Sequence, residues 1–181
     1  RVLFRSDLLV CVIDATNLER NLYLYSQLAE LGCPIVVALT MVDRVGRKGS
    51  HLDQSLLTEL LGCELVPIVG HKDRGIAELK QAIERNLSDP RVPEPEWPED
   101  DALASIVRVV RERMSRLGMD ATHSEIRRAI TLPVEDFERQ YEAYPELRDL
   151  LIEVRAEVGS DVHAHDVTSR YQWSGAVDRA V

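Results

Sequence analysis

Short apolar runs alternate with amphipathic stripes over the first half of the chain, and helical stripes alone fill the second half. The run DLLVCVIDA ends in Asp14 and reads as a strand buried on both faces. Thr16 or Asn17 can cap a helix running to Gly32, with Leu18, Leu22, Tyr25, Leu28 and Leu31 along one stripe. PIVVALT is a second buried run. The polar loop RVGRKGSH then leads to a helix near residues 53–61, which Gly62 closes. ELVPIV reads as a third strand. Residues 76–87 read as a third helix, with Ile76, Leu79, Ile83 and Leu87 in register. Strand and helix alternate three times, which predicts an α/β fold with a parallel sheet and right-handed crossovers.

Pro90, Pro93, Pro95 and Pro98 interrupt this pattern. Proline lacks the backbone donor and fixes its own φ, so the stretch neither continues a helix nor joins a central strand. It predicts an extended linker over 89–98, with an α/β part at 1–88 and a small all-α part at 99–181. In the latter, Leu103, Ile106, Val107, Val110, Met114 and Leu117 form one stripe that Gly118 stops. Thr122 and Glu125 have capping-box spacing for a second helix. Pro133 starts a third, through Phe137 and Tyr141. Pro145 opens a fourth with Leu147, Leu150, Leu151 and Val154, closed by Gly159. Residues 163–180 suit a fifth.

Composition narrows the function classes. The net charge of −9 argues against a nucleic-acid partner or an anionic membrane surface, because phosphates would be repelled. The three cysteines, Cys11, Cys33 and Cys63, each lie in or beside an apolar run without zinc-ligand spacing, and read as buried thiols. The apolar stretches at 8–13 and 35–39 fall far short of the roughly 20 residues that a membrane-spanning helix needs. The chain therefore reads as soluble and cytoplasmic.

In an open α/β sheet, ligands bind beyond the carboxyl ends of the strands. That places the chemistry in the loops at 14–17, 40–49 and 70–75. In VVALTMVD, Asp43 follows the second strand, where guanine-specific proteins carry Asn-Lys-x-Asp. A carboxylate there accepts from the ring N1–H and exocyclic amino group of guanine. Adenine offers neither, and the carboxylate would be left unpaired. Thr40-Met41-x-Asp43 alone is a weak signal, since an Asp at a strand end also caps helices and organises loops.

The wider run VCVIDATNLERNLYLYSQLAELGCPIVVALTMVD resembles the GTPase domain of FeoB-type ferrous iron transporters. The resemblance implies a partial P-loop GTPase fold and a GTP/GDP site that includes Thr40, Met41 and Asp43. That family carries Met where most GTPases carry Lys, and the Met41 stem can cover the base as a Lys stem does. Thr40 stands where the family has Asn, and lacks the amide that bonds guanine N7 and neighbouring loops. PIVGHKDRGIAELKQAI resembles the last guanine-contacting loop, with Gly70 at a Ser position, His71 next and Lys72 at the basic position. Backbone N–H groups there are expected to meet the guanine O6. TSRYQWSGAV, with Arg170, Tyr171 and Trp173, resembles the family's segment between helical bundle and membrane. The implied partners are a guanine nucleotide and the transmembrane pore of a parent protein at the inner face of the cell membrane. Oligomerisation is left open.

Other features temper this reading. The phosphate cradle G-x-x-x-x-G-K-S/T finds one glycine match, Gly70 to Gly75, followed by Ile76 and Ala77 where Lys and Ser or Thr are required. No switch threonine loop is evident. The expectation is that the chain begins at the fourth strand of the domain, that RVLFRS is foreign to it, and that the first strand shows an unpaired edge. The chain by itself is not expected to hydrolyse GTP, and magnesium is expected only in the intact parent. Neither catalytic nor metal-ligating residues are assigned. His163 and His165 read as the solvated start of a helix rather than an iron site, and Arg108, Arg111, Arg113 and Arg116 as a wet helix face. Trp97 and Trp173 read as packing anchors. Two rivals remain: an interaction-only module with a degenerate site, and half of an unrelated ribosome- or RNA-associated GTPase.

Overall fold

Three short strands assemble side by side because each supplies a run of apolar residues too short for a helix and bounded by polar turns. The computed structural model describes residues 6–47, 52–93, 101–132, 145–158 and 162–181. Strands β1 (Leu9–Asp14), β2 (Ile35–Thr40) and β3 (Glu64–Pro67) form a parallel sheet in the order β1-β2-β3. Around them lie α1 (Leu18–Ala29), α2 (Val42–Arg47), α3 (Gln54–Leu61) and α4 (Ile76–Ser88). The second half holds α5 (Asp101–Arg116), α6 (His123–Thr131), α7 (Pro145–Val158) and α8 (Val162–Ala180). The helix expected from Pro133 through Phe137 and Tyr141 lies outside the described residues, as do Gly159, Trp97 and residues 94–98 of the expected linker.

The central strand is buried from Ile35 to Leu39, as its unbroken apolar run demands. The edge strand β1 is different. Cys11 and Ile13 are buried, but Val10 and Val12 are 42% and 60% exposed, so the expectation of two buried faces fails. Val10 lies opposite Val36 in the register and shares its face. On that face Val36, Val66 and Ala82 of α4 form a core cluster, and α4 packs chiefly over β2 and β3.

Helix α1 buries Leu18, Leu22, Tyr25 and Ala29 at helical spacing. It ends at Ala29 rather than Gly32, and Leu28 and Leu31 are half-buried. Asn17 occupies its N-cap position without a side-chain capping bond. Helix α3 has the cap and stop its sequence announces. Asp53 accepts from the amides of Ser55 and Leu56, and Gly62 turns left-handed at φ 66°. On α4 the buried positions are Ala82 and Asn86, whereas Leu87 is exposed. The expected stripe is thus displaced toward the residues that meet β2 and β3. The expected loop after β2 instead begins as the short helix α2, because the Met41 carbonyl accepts from Arg44 N at 2.9 Å and Val45 N at 3.4 Å.

In the helical part, the α5 stripe meets Ile126, Ala129 and Ile130 of α6, Leu147, Leu150, Leu151 and Val154 of α7, and Val162. Leu117 falls off that stripe and is exposed. The capping box of Thr122 and Glu125 is formed in both directions. The packing divides the chain into two compact units: 97–170, and 3–96 joined by Tyr171–Val181. The division falls inside α8. The segment Tyr171–Val181, expected from sequence order in the helical part, groups instead with the α/β unit. There Tyr171 stacks on Tyr23 with ring centroids 4.6 Å apart, Trp173 lies over Tyr25 at 6.4 Å, and the Val181 carbonyl accepts from Asp53 N at 2.9 Å. Trp173 is buried, so its reading as a packing anchor holds.

Candidate functional site

The parallel register brings the carboxyl ends of the strands to one edge of the sheet, with Asp14 opposite Thr40 and Leu39 opposite Pro67. Three loops leave from that edge. After β1, the Asp14 Oδ1 accepts from Thr16 N at 2.8 Å and Thr16 Oγ1 at 2.7 Å, an Asx-type turn that shapes the start of α1. The loop is stitched to its neighbour by Ala15 N donating to the Thr40 carbonyl at 3.0 Å.

The loop after β2 holds the first cluster of expected base-reading residues. Thr40 is half-buried, and its Oγ1 donates to the Ile13 carbonyl of β1 at 3.0 Å. Met41 follows in left-handed backbone at φ 59° and is 37% exposed. Asp43 sits in the first turn of α2 and is half-buried. The sharp turn at Met41 puts the Asp43 carboxylate at a helix start beside the sheet edge, where the helix dipole favours negative charge.

The loop after β3 holds the second cluster. Ile68 N donates to the Leu39 carbonyl at 2.8 Å, so this loop leaves beside the first. Gly70, His71 and Lys72 form a single 3-10 turn and are exposed. Lys72 N closes onto the Val69 carbonyl at 2.9 Å and Asp73 N onto that of Gly70 at 3.2 Å. Asp73 then turns left-handed at φ 51°. A bridge between Val69 and Arg74 clamps the base of the loop, with Val69 N donating to the Arg74 carbonyl at 2.9 Å. Gly75 completes it at φ 83°, and a Cβ there would lie 2.2 Å from the Pro67 carbonyl oxygen. From the sequence, Asp73 is not singled out, and Gly75 enters only as the second glycine of the failed cradle match and the end of the 70–75 loop. A glycine directly before a helical stripe was the available signal for Gly75.

The described residues contain no grouping of three or more His, Cys, Asp or Glu fit to hold a metal. His163 is exposed and His165 half-buried on α8. Asp166 beside them is turned inward: its Oδ1 accepts from Arg127 Nε and its Oδ2 from Arg170 Nε, each at 2.7 Å. All three cysteines are buried and free. Among the described residues no helix is long and apolar enough to cross a membrane.

The family model described as ferrous iron transport protein B matches residues 2–83. The Fe(2+) transporter FeoB of Escherichia coli strain K12 is 34% identical over 95% of this chain, which spans 22% of that relative's length. FeoB of Salmonella typhimurium is 48% identical over 48% of the chain. The solved cytosolic domain of L. pneumophila FeoB superposes with a TM-score of 0.77 at 30% identity, covering 99% of this chain and 69% of that one. The chain belongs to the FeoB family. The matched solved structure is that of a cytosolic domain of FeoB. An S. thermophilus NFeoB mutant bound to GDP shares the fold, with a TM-score of 0.77 at 23% identity and coverage of 97% and 69%. Membership in the FeoB family sets aside an unrelated ribosome- or RNA-associated GTPase. The chain spans about a fifth of the length of its curated FeoB relatives.

Proposed function

We propose that this part of an FeoB protein reads the guanine base of GTP or GDP, and so supports GTP-dependent Fe(2+) uptake in the whole transporter. The observation that carries the reading is the left-handed turn at Met41, which sets Met41 and Asp43 at the carboxyl edge of the sheet. In this reading Asp43 accepts from guanine N1–H and the exocyclic amino group. The exposed Met41 stem covers the base face, while the turn at Gly70, His71 and Lys72 lies toward the O6 side. These groups fit a purine: an apolar stem, a carboxylate at a helix start and an exposed backbone turn beside it. The solved structure of the S. thermophilus relative with GDP supports the same ligand class. When bound with the nucleotide, magnesium would neutralise phosphate charge at residues other than those assigned here. In the transporter, the helical part, read from sequence as 99–181 and compact only as far as Arg170, relays or tunes nucleotide state toward the pore at the cytoplasmic face of the membrane.

The test joins the chain to the upstream half of a related FeoB cytosolic domain and titrates fluorescent GDP and ADP. Guanine-selective binding is expected, with Asp43→Ala losing at least about tenfold in GDP affinity, the scale of one charge-assisted hydrogen bond. Equal binding of both nucleotides would instead favour an interaction-only module.

A further inference from the structure

We propose that Thr40 is a positioning residue, which pins the guanine-reading loop without touching the base. The inference rests on the base-reading role of Met41 and Asp43 proposed above. Thr40 is the last residue of β2, and its hydroxyl donates to the carbonyl of Ile13, which is itself fully buried in β1. Its own carbonyl accepts from Ala15 N, and the preceding carbonyl, of Leu39, accepts from Ile68 N. Residues 39 and 40 therefore tie β2 to the loops on both sides of it.

The next residue is the one that needs holding. Met41 and Asp73 are the non-glycine residues with positive φ among those described, and each lies in one of the two candidate base-contacting loops. Such backbone persists only where the surroundings over-determine it. Met41 is 37% exposed, so packing of its side chain is only part of what holds it. The rest comes from the backbone on either side: Thr40 anchored to β1 before it, and its own carbonyl engaged by Arg44 N and Val45 N after it. The Thr40 hydroxyl is directed into the sheet by its bond to Ile13. A valine would keep the β-branched shape and strand preference while removing only that hydrogen bond.

Hydrogen exchange on the 15N-labelled chain tests the pin directly, comparing the unmodified protein with T40V and T40S. T40V is expected to speed exchange of the Ala15 and Arg44 amides by about three- to tenfold, the worth of one intramolecular hydrogen bond. Amides inside β2 and β3 should be unaffected, and T40S should restore the slow rates. In the chain joined to the upstream half of a related FeoB, T40V should lower the preference for GDP over ADP by a similar factor, and T40S should preserve it. Unchanged exchange in T40V would overturn the pin. Faster exchange with an unchanged nucleotide preference would show that the pin does not serve base reading, and would overturn the positioning role. Lack of guanine preference in the unmodified joined protein would sink the base-reading proposal and this inference with it, whatever the exchange rates.

Discussion

Tyr25 joins elements that are distant in sequence through one hydroxyl. Its Oη donates to the Leu61 carbonyl at 2.6 Å and lies 3.3 Å from Cys63 Sγ. Burial is the main cause that pushes the Tyr25 phenol above its ordinary range, with the neighbouring Cys63 adding to it. Burial also pushes the Cys11 thiol up to about 11, and the Cys63 thiol up to about 11 against a smaller opposing effect of the Tyr25 hydrogen bond. The protonated forms are favoured in the fold. Unfolded thiols ionise near pH 8.5, so the unfolded chain binds fewer protons above that pH and folding stability falls. The stability from these thiols is complete below about pH 8.5. It should be lost progressively as pH climbs toward about 11, the folded value for both thiols. Urea unfolding midpoints taken between pH 7 and 10 should decline from about pH 8.5, and replacing both Cys11 and Cys63 with alanine should flatten much of that decline. That these cysteines are buried thiols was legible from their apolar surroundings. The bond from Tyr25 to Leu61 was not, because nothing in the local sequence pairs a helix residue with the end of another helix.

At the scale of elements, the caps and stops follow from local chemistry. Asp53, Gly62 and the pair Thr122 and Glu125 act within a turn of themselves, and each does what its type and spacing announce. Gly75 differs, because its requirement comes from a strand several residues back. Its positive φ and the approach of the Pro67 carbonyl leave no room for a Cβ. Gly75→Ala should cost at least about 2 kcal/mol of stability in denaturant unfolding, more than the usual cost of about 1 kcal/mol for a left-handed alanine. It should also shift the amide resonances of Gly70, His71 and Lys72. Gly62→Ala, left-handed at a helix end, is the comparison and should cost about 1 kcal/mol. An equal loss for both would show that the close approach to Pro67 is relieved by a small movement.

For the molecule as a whole, the least expected feature is a buried ionic cluster in the helical unit. Arg127 is fully buried on α6, and its Nε and that of Arg170 converge on Asp166. Taking the carboxylate away removes a buried negative charge to which both guanidinium groups donate in low dielectric. Asp166→Ala should therefore lower the stability of the helical unit by roughly 3–5 kcal/mol. Chemical denaturation followed by circular dichroism would measure it, and a loss below about 1 kcal/mol would mean that water reaches the cluster freely. Asp166 and Arg170 sit four apart on one helix, a spacing that suggests a surface pair. Only Arg127, brought in from α6, makes the pair a buried cluster.

The sequence by itself determined the order of the strands and of the longer described helices, most caps, the Met41-x-Asp43 motif and the FeoB resemblance, but not the short helix α2. Hydrophobic period, turn chemistry and motif spacing all act over a few residues and survive in a linear reading. The tertiary structure alone decided which faces are covered. It left Val10 and Val12 exposed on β1, moved the buried face of α4 to Ala82 and Asn86, and grouped Tyr171–Val181 with the α/β unit. It also decided the left-handed turn at Met41 and the bond from Thr40 to Ile13. Each of these depends on a partner far away in sequence, and the energy of such a contact is fixed by packing geometry rather than by the residue's own preference.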